Sequence, residues 1–193
     1  METLLCIQQG FDCSQLLTPA IALIGIILAL IQIEKNNKTR RADFAHRLDV
    51  EFFTDETRNC FEIIEFIEFI EPKTKEELPF FKIDKTKIDK LSKGYFSIKE
   101  FCDKRGYEIS SSELDDYLLG QFEKIGLYRK KKVIAMAYIY ELFDYYISGS
   151  HNNSEIQKYI QWVRKFEDTK DIYDKFDFVA KECDNYRDKK YKK

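Results

Sequence analysis

From Leu16 to Ile33 the chain reads LLTPAIALIGIILALIQI, with no charged residue. From Glu34 onward it is charged, aromatic and patterned at helical spacing. A helix rises 1.5 Å per residue, so about 20 residues cross a ~30 Å hydrocarbon core. The run therefore predicts a single transmembrane helix over 16–33, with Thr18 as N-cap, Pro19 in the first turn and Gly25 midway. Beyond it, Ala45, Leu48 and Phe52 share one helical face. Thr54 and Asp55 predict the start of a helix that buries Cys60, Ile63, Ile64, Ile67 and Ile70 and stops at Pro72. Residues 72–107 predict an irregular insertion, with a short helix near Ile83–Leu91 and another over Tyr95–Tyr107 ended by Gly106.

Ser110 and Glu113 have capping-box spacing and open a helix presenting Leu114, Tyr117, Leu118, Phe122 and Ile125, with Gly126 as its stop. The stretch VIAMAYIYELFDYYI is apolar almost all round, as a central helix would be. Ser148–Ser154 predicts a turn with His151 at its exposed tip. Ser154 and Gln157 then open a helix burying Ile156, Tyr159, Ile160, Val163 and Phe166, with Trp162 off the stripe at a helix–helix contact. A last helix from about Asp171 carries Ile172, Tyr173, Phe176, Val179, Ala180 and Cys183, before a frayed basic tail. Strand-like alternation is almost absent. The expected fold is all-α: one N-terminal transmembrane helix followed by a cytosolic bundle of about five to seven helices.

Charge gives the apolar run a direction. Residues 1–15 hold Glu2 and Asp12 and no Lys or Arg, whereas Lys35, Lys38, Arg40, Arg41 and Arg47 follow the run. The basic flank predicts a single-pass protein of the inner or plasma membrane, N-terminus outside. Residues 1–15 would be a short extracytoplasmic tail and 34–193 a cytosolic all-helical domain. Cys6 and Cys13 would lie outside, where they either pair or remain free thiols. Cys60, Cys102 and Cys183 read as small buried hydrophobes.

Composition narrows the chemistry further. The chain has 7 Gly and 3 Pro among 193 residues, too few for most turn-rich β folds, and 16 Phe and 12 Tyr supply bulky core material. A net charge of −2 gives no bulk reason to expect nucleic acid. With 2 His and no CxxC pair, no metal site is expected. No P-loop, Rossmann glycine pattern, GxSxG, HExxH or EF-hand loop occurs, so neither cofactor nor catalytic residue is assigned and the chain reads as a non-enzyme. The acids that could suggest otherwise are the row Glu62, Glu65, Glu68 and Glu71, which reads as a solvated face, and Glu141 with Asp144, which would need Arg164 or a lysine as partner if buried. The basic candidates for contact with a membrane surface or nucleic acid are Lys35, Lys38, Arg40 and Arg41, then Arg129, Lys130, Lys131 and Lys132. A third basic cluster spans Arg187–Lys193.

The order LLGQFEKIGLYRKKKVI…ELFDYYI, then YIQWVR…DIYDKFDFVAKE, resembles a bacterial family of unknown function. Leu119, Phe122, Glu123 and Ile125 carry the centre of the likeness, and Trp162, Arg164, Tyr173 and Phe176 its end. It runs from about Leu118 to Glu182; RRADFAHRLDVEFF also fits and 72–107 does not. The resemblance implies an N-terminal transmembrane helix, a basic juxtamembrane stretch and a small all-helical cytosolic domain, and it brings no activity. Proteins of this build include sensors and effectors of defence against phage. The expectation is thus a membrane-anchored interaction or regulatory protein in antiviral defence. Its partners would be the lipid bilayer, an unidentified protein or a second copy of the chain. The alternative is a membrane-tethered nucleic-acid-binding protein.

Overall fold

A computed structural model describes the backbone of residues 13–74, 77–90 and 96–192; side chains are described from Ile21 on, except at 75–76, 91–97 and 193. The chain divides into two compact units, 1–40 and 41–193. Helix α1 (Cys13–Phe52) contains residues of both.

No helix among the described residues is long and apolar enough to cross a membrane. This corrects the single-pass reading, and with it the outside N-terminus and the inner-membrane location. The apolar side chains described in α1 run from Ile21 to Ile33, thirteen positions. Glu34, Lys35 and Lys38 continue the same helix. Leu16–Ala20 lie outside the described side chains. So do Cys6 and the Cys13 side chain, on which the disulfide alternatives rest. The helix begins at Cys13, which places Thr18 inside it rather than at its cap.

The unit 41–193 opens with the last turns of α1, where Ala45, Leu48 and Phe52 are buried as their spacing predicts. Thr54 then caps α2 (Asp55–Ile63) through its side chain, with Asp55 and Glu56 in the first turn. Here the structure departs from an all-helical chain. A single 3₁₀ turn, Ile64–Phe66, leads into β1 (Ile67–Ile70), which pairs antiparallel with β2 (Phe80–Ile83). β2 pairs in turn with β3 (Glu108–Ser110), giving a three-stranded sheet of order β1-β2-β3.

The register explains why. Ile67 faces Ile83, Phe69 faces Phe81 and Phe81 faces Ile109 on the inner side; Glu68, Lys82 and Glu108 lie side by side on the other. An apolar set packs inward while alternating charges attract across the strands. IEFI and FFKI are β-branched and aromatic, the residue types that fit a pleated half-buried surface. Glutamates at every third position disguised the strand as a helix. β1 is an edge strand, and the Glu155 carboxylate accepts the outward Phe69 N–H at 3.0 Å, which blunts that edge.

The presumed insertion is therefore ordered in large part. α3 (Lys85–Asp89) is capped by Asp84, and α4 (Phe96–Arg105) ends at Gly106, whose φ of 96° suits glycine. Ile88, Ile98 and Cys102 bury from these helices into the common core. After β3, Ser110 and Glu113 form the capping box of α5 (Ser111–Leu114), both reciprocal bonds present. A π-helical turn, Asp115–Leu119, follows and merges into α6 (Gly120–Lys130).

α7 (Met136–His151) buries Met136, Ile139, Phe143, Ile147 and Ser150 along one stripe. Its last turn uses residues read as a turn, so only Asn152 and Asn153 separate it from α8 (Ser154–Phe166). Asn153, not Ser154, is the N-cap and accepts from Glu155 and Ile156 N–H. α9 (Asp174–Tyr191) packs on both α6 and α7 and carries the basic tail as helix as far as Tyr191.

Gly126 is no helix stop. α6 passes straight through it, because a Cβ there would lie 2.0 Å from the Lys175 carbonyl oxygen of α9. The missing side chain lets the two backbones meet, and the Phe122 and Phe176 rings stack 5.0 Å apart beside them. Gly126→Ala is expected to cost at least about 2 kcal/mol, because backbone must move to admit the methyl. Urea unfolding of the variant against the parent chain measures this. A loss within about 0.5 kcal/mol, the usual surface value, would refute the close approach.

Candidate functional site

The predicted site residues are scattered, and three of the eight are paired with acids. Lys38 pairs with Glu34 one turn away in α1. Arg129 reaches Glu182 at 2.8 Å and Lys130 reaches Asp174 at 3.5 Å, both across the α6–α9 contact. Lys131 and Lys132 sit exposed in the turn after α6, with Lys132 at φ 58°. Lys35, Arg40 and Arg41 lie in α1, outside this group. Arg187, in the third basic cluster, binds Asp144 at 2.6 Å and Asp184 at 2.9 Å, and Lys192 binds Asp188. Cations so engaged do not add to a one-sign surface.

The acidic candidates separate too. Glu62, Glu65, Glu68 and Glu71 are all exposed. Glu141 is exposed, while Asp144 accepts from Arg187 and from the Ser148 hydroxyl at 3.1 Å. Its partner is Arg187 rather than Arg164, which bonds Asp177 and the Ile172 carbonyl. His151 is half-buried, edge-on to the Phe176 ring and 3.3 Å from Asp177, not at an exposed tip. Among the described residues no cluster of His, Cys, Asp and Glu could hold a metal. Burial raises the Cys60 and Cys102 thiols to about 11 and Cys183 to about 12. None is a thiolate nucleophile at neutral pH.

One group of polar side chains does converge, and it centres on Asp115. Three constraints place it. The π turn brings the Gly120 N–H onto the Asp115 carbonyl; a Cβ at Gly120 would lie 2.7 Å from that oxygen, so glycine admits the wide turn. Tyr173, just before α9, adopts left-handed φ 61°, ψ 23°, a conformation unfavourable for a bulky residue. Glu123 holds the start of α9 by accepting the Phe176 N–H at 2.7 Å, with Lys175 nearby at 3.5 Å. From these positions the Tyr159 hydroxyl donates to Asp115 Oδ2 at 2.7 Å, and the Tyr173 hydroxyl donates to Oδ1.

Burial, the largest influence, pushes the Asp115 carboxyl up despite the two hydroxyl bonds that favour its anion. Both phenols are pushed up by burial and by the adjacent carboxylate, so they remain donors.

A pocket of about 400 Å³ lies over this group. Leu78, Pro79, Val163 and Ile172 give it apolar walls, Trp162 and Phe166 line it together with both tyrosines, and Glu167 is its other acid. A larger cleft of about 690 Å³ runs beside β1, β2 and α3. Its charges are mixed and paired: Lys87 with Asp84, Lys158 with Glu155. It offers less chemical direction than the smaller pocket. Trp162 was expected at a helix–helix contact; it instead stacks on Phe166 at 4.9 Å and approaches Phe69 of the sheet at 6.1 Å. Asp115 escaped the sequence reading because a lone acid beside Asp116 in a regular helix looks solvated. Comparison with family models, curated proteins and solved structures finds no match.

Two predictions follow from these environments. A carboxyl that binds its proton more tightly folded than unfolded adds stability at low pH that is lost as pH rises through its folded value. Asp115→Asn cannot titrate. Its unfolding free energy, measured from about pH 4 to pH 7, is expected to gain on that of the parent chain as pH rises. A constant difference would contradict the buried carboxylate. For the cysteines, Cys60, Cys102 and Cys183 are expected to resist iodoacetamide near pH 8 in the folded chain and to alkylate in urea. Mass mapping of the modified peptides distinguishes the two.

Proposed function

We propose that this is a non-enzymatic interaction protein whose binding element is the apolar part of α1. The observation that carries this reading is the exposure of Ile21, Leu23, Ile24, Ile26, Ile27, Leu28, Leu30, Ile31 and Ile33, each between 48% and 64% exposed. They surround most of the helix circumference, and a helix apolar on nearly every side is stable where other apolar groups enclose it. Burying one such side chain is worth about 1.5–3 kcal/mol. Nine of them far exceed what isolated apolar residues on an ordinary surface forgo. The occupant we assign is a protein with an apolar surface, and defence against phage is the setting in which it is tested.

Ile24→Glu with Leu28→Glu tests it, because a charge there resists burial. A photo-crosslinking residue at position 27 of the full chain, expressed in its native cells, is expected to capture a discrete protein adduct. The same residue at exposed Glu141 is expected to capture none. The double variant should lose the adduct and any protection against phage, yet keep the unfolding transition of the parent chain. No adduct at position 27, or an adduct unchanged in the double variant, would refute the reading. An adduct of twice the chain mass would identify the partner as a second copy.

A further inference from the structure

We infer that the pocket over Asp115 binds a small organic cation, an alkylated ammonium, with Asp115 opposite the charge and the aromatic side chains around the alkyl groups. The inference is independent of the apolar helix and rests on charge, shape and ring content.

The first argument is charge. Among the described residues two acids line the pocket, Asp115 and Glu167, and no Lys, Arg or His does. A ligand that enters meets a negative field with low-dielectric walls, where an opposite charge interacts strongly. The second argument is vacancy on the carboxylate. Asp115 accepts one phenol on each oxygen, and a carboxylate has about four acceptor positions, so each oxygen retains one. The third is the lining. Trp162, Phe166, Tyr159 and Tyr173 supply four rings in one small cavity, and aromatic faces attract cations whose charge is spread over methyl groups. A volume of about 400 Å³ suits a head of a few heavy atoms and falls in the range of ligand pockets.

The local backbone is consistent with a built site. Asp115 opens a π turn and Tyr173 sits in the left-handed region, two uncommon conformations whose side chains meet at one hydrogen bond. The phenols keep their protons and donate them to the carboxyl oxygens, which fixes the orientation of Asp115 toward the pocket. Anionic ligands are disfavoured by the same two acids. A neutral apolar ligand would fill the walls and leave the carboxylate uncompensated.

Trp162 is the single tryptophan of the chain, so its emission reports the pocket directly. The full chain would be titrated with choline chloride, with tetramethylammonium chloride and with 3,3-dimethylbutan-1-ol, the neutral isostere of choline. Saturable change with both cations, and roughly tenfold weaker binding of the alcohol, is expected. Asp115→Asn should weaken choline by a similar factor and leave the alcohol unchanged. Phe166→Ala, at an exposed position, should also weaken choline while the far-ultraviolet circular dichroism and unfolding transition match the parent, which keeps the test valid if the Asp115 variant misfolds. Equal binding of choline and the alcohol would overturn the assignment, as would no saturable response to either cation at millimolar concentration. A trimethyllysine peptide that binds while choline does not would overturn the free small ligand as occupant.

Discussion

The carbonyl oxygen of Lys175 occupies the place where a side chain at position 126 would stand. Only glycine lets α6 and α9 come this close, and much of the unit 41–193 follows from that distance. It allows the Phe122 and Phe176 rings to stack, and it brings Glu123 within 2.7 Å of the Phe176 N–H. That bond satisfies a donor that the first turn of α9 would otherwise leave orphaned, at the positive end of the helix. With the helix start held on one side, the chain enters it through a left-handed Tyr173. A strained residue persists where its surroundings over-determine it. Here the stacked rings, the close backbones and the carboxylate do so together.

The same constraint reaches the pocket. Tyr173 delivers its hydroxyl to Asp115 from the α9 side, and Tyr159 delivers its own from α8. Asp115 comes from a third element, set by the π turn that Gly120 permits. Three chain segments thus converge on one carboxylate: the π turn, α8 and the connection that enters α9. Networks of this kind are costly when half satisfied, because the interior strengthens every electrostatic term in both directions. Two donors on Asp115 meet part of its demand and leave the remainder for what enters from the pocket.

Local chemistry was legible in the sequence where it is local in the structure. The Ser110–Glu113 capping box, the Thr54 start of α2 and the Gly106 stop depend on neighbours within a turn or two, and the buried Ala45, Leu48 and Phe52 show as helical spacing. What was not legible depends on distant partners. IEFI becomes a strand because FFKI lies beside it in register, and glutamates at every third position imitate a helix period until that partner is known. Gly126 looks like a stop in one dimension and is a contact in three. Asn153 takes the cap from Ser154 partly because its amide also donates to the Ile64 carbonyl, eighty-nine residues away. Asp115 has no local signal at all, since its two donors lie 44 and 58 residues further along. The apolar run of α1 was plain in the sequence, but no helix among the described residues is long and apolar enough to cross a membrane.

Charge pairing decides which surfaces remain for recognition. The chain is near neutral, with 32 basic and 34 acidic side chains, and in the unit 41–193 many of them meet one another across helix contacts. Arg164 and Arg187 bind the backbone and carboxylates of neighbouring segments, and Arg129 does the same between α6 and α9. Exposed pairs such as Lys192–Asp188 add little to stability, about 0–1 kcal/mol each, and the partly buried ones likewise remove long-range fields. A surface so balanced does not select partners by net charge. Selectivity falls instead to places where one kind of group stands unopposed. Two such places stand out in the described residues: the apolar side chains Ile21–Ile33 and the two acids among aromatic rings at Asp115. They call for different chemistries, a protein's apolar surface and a small cation, so binding at one is separable by mutation from binding at the other.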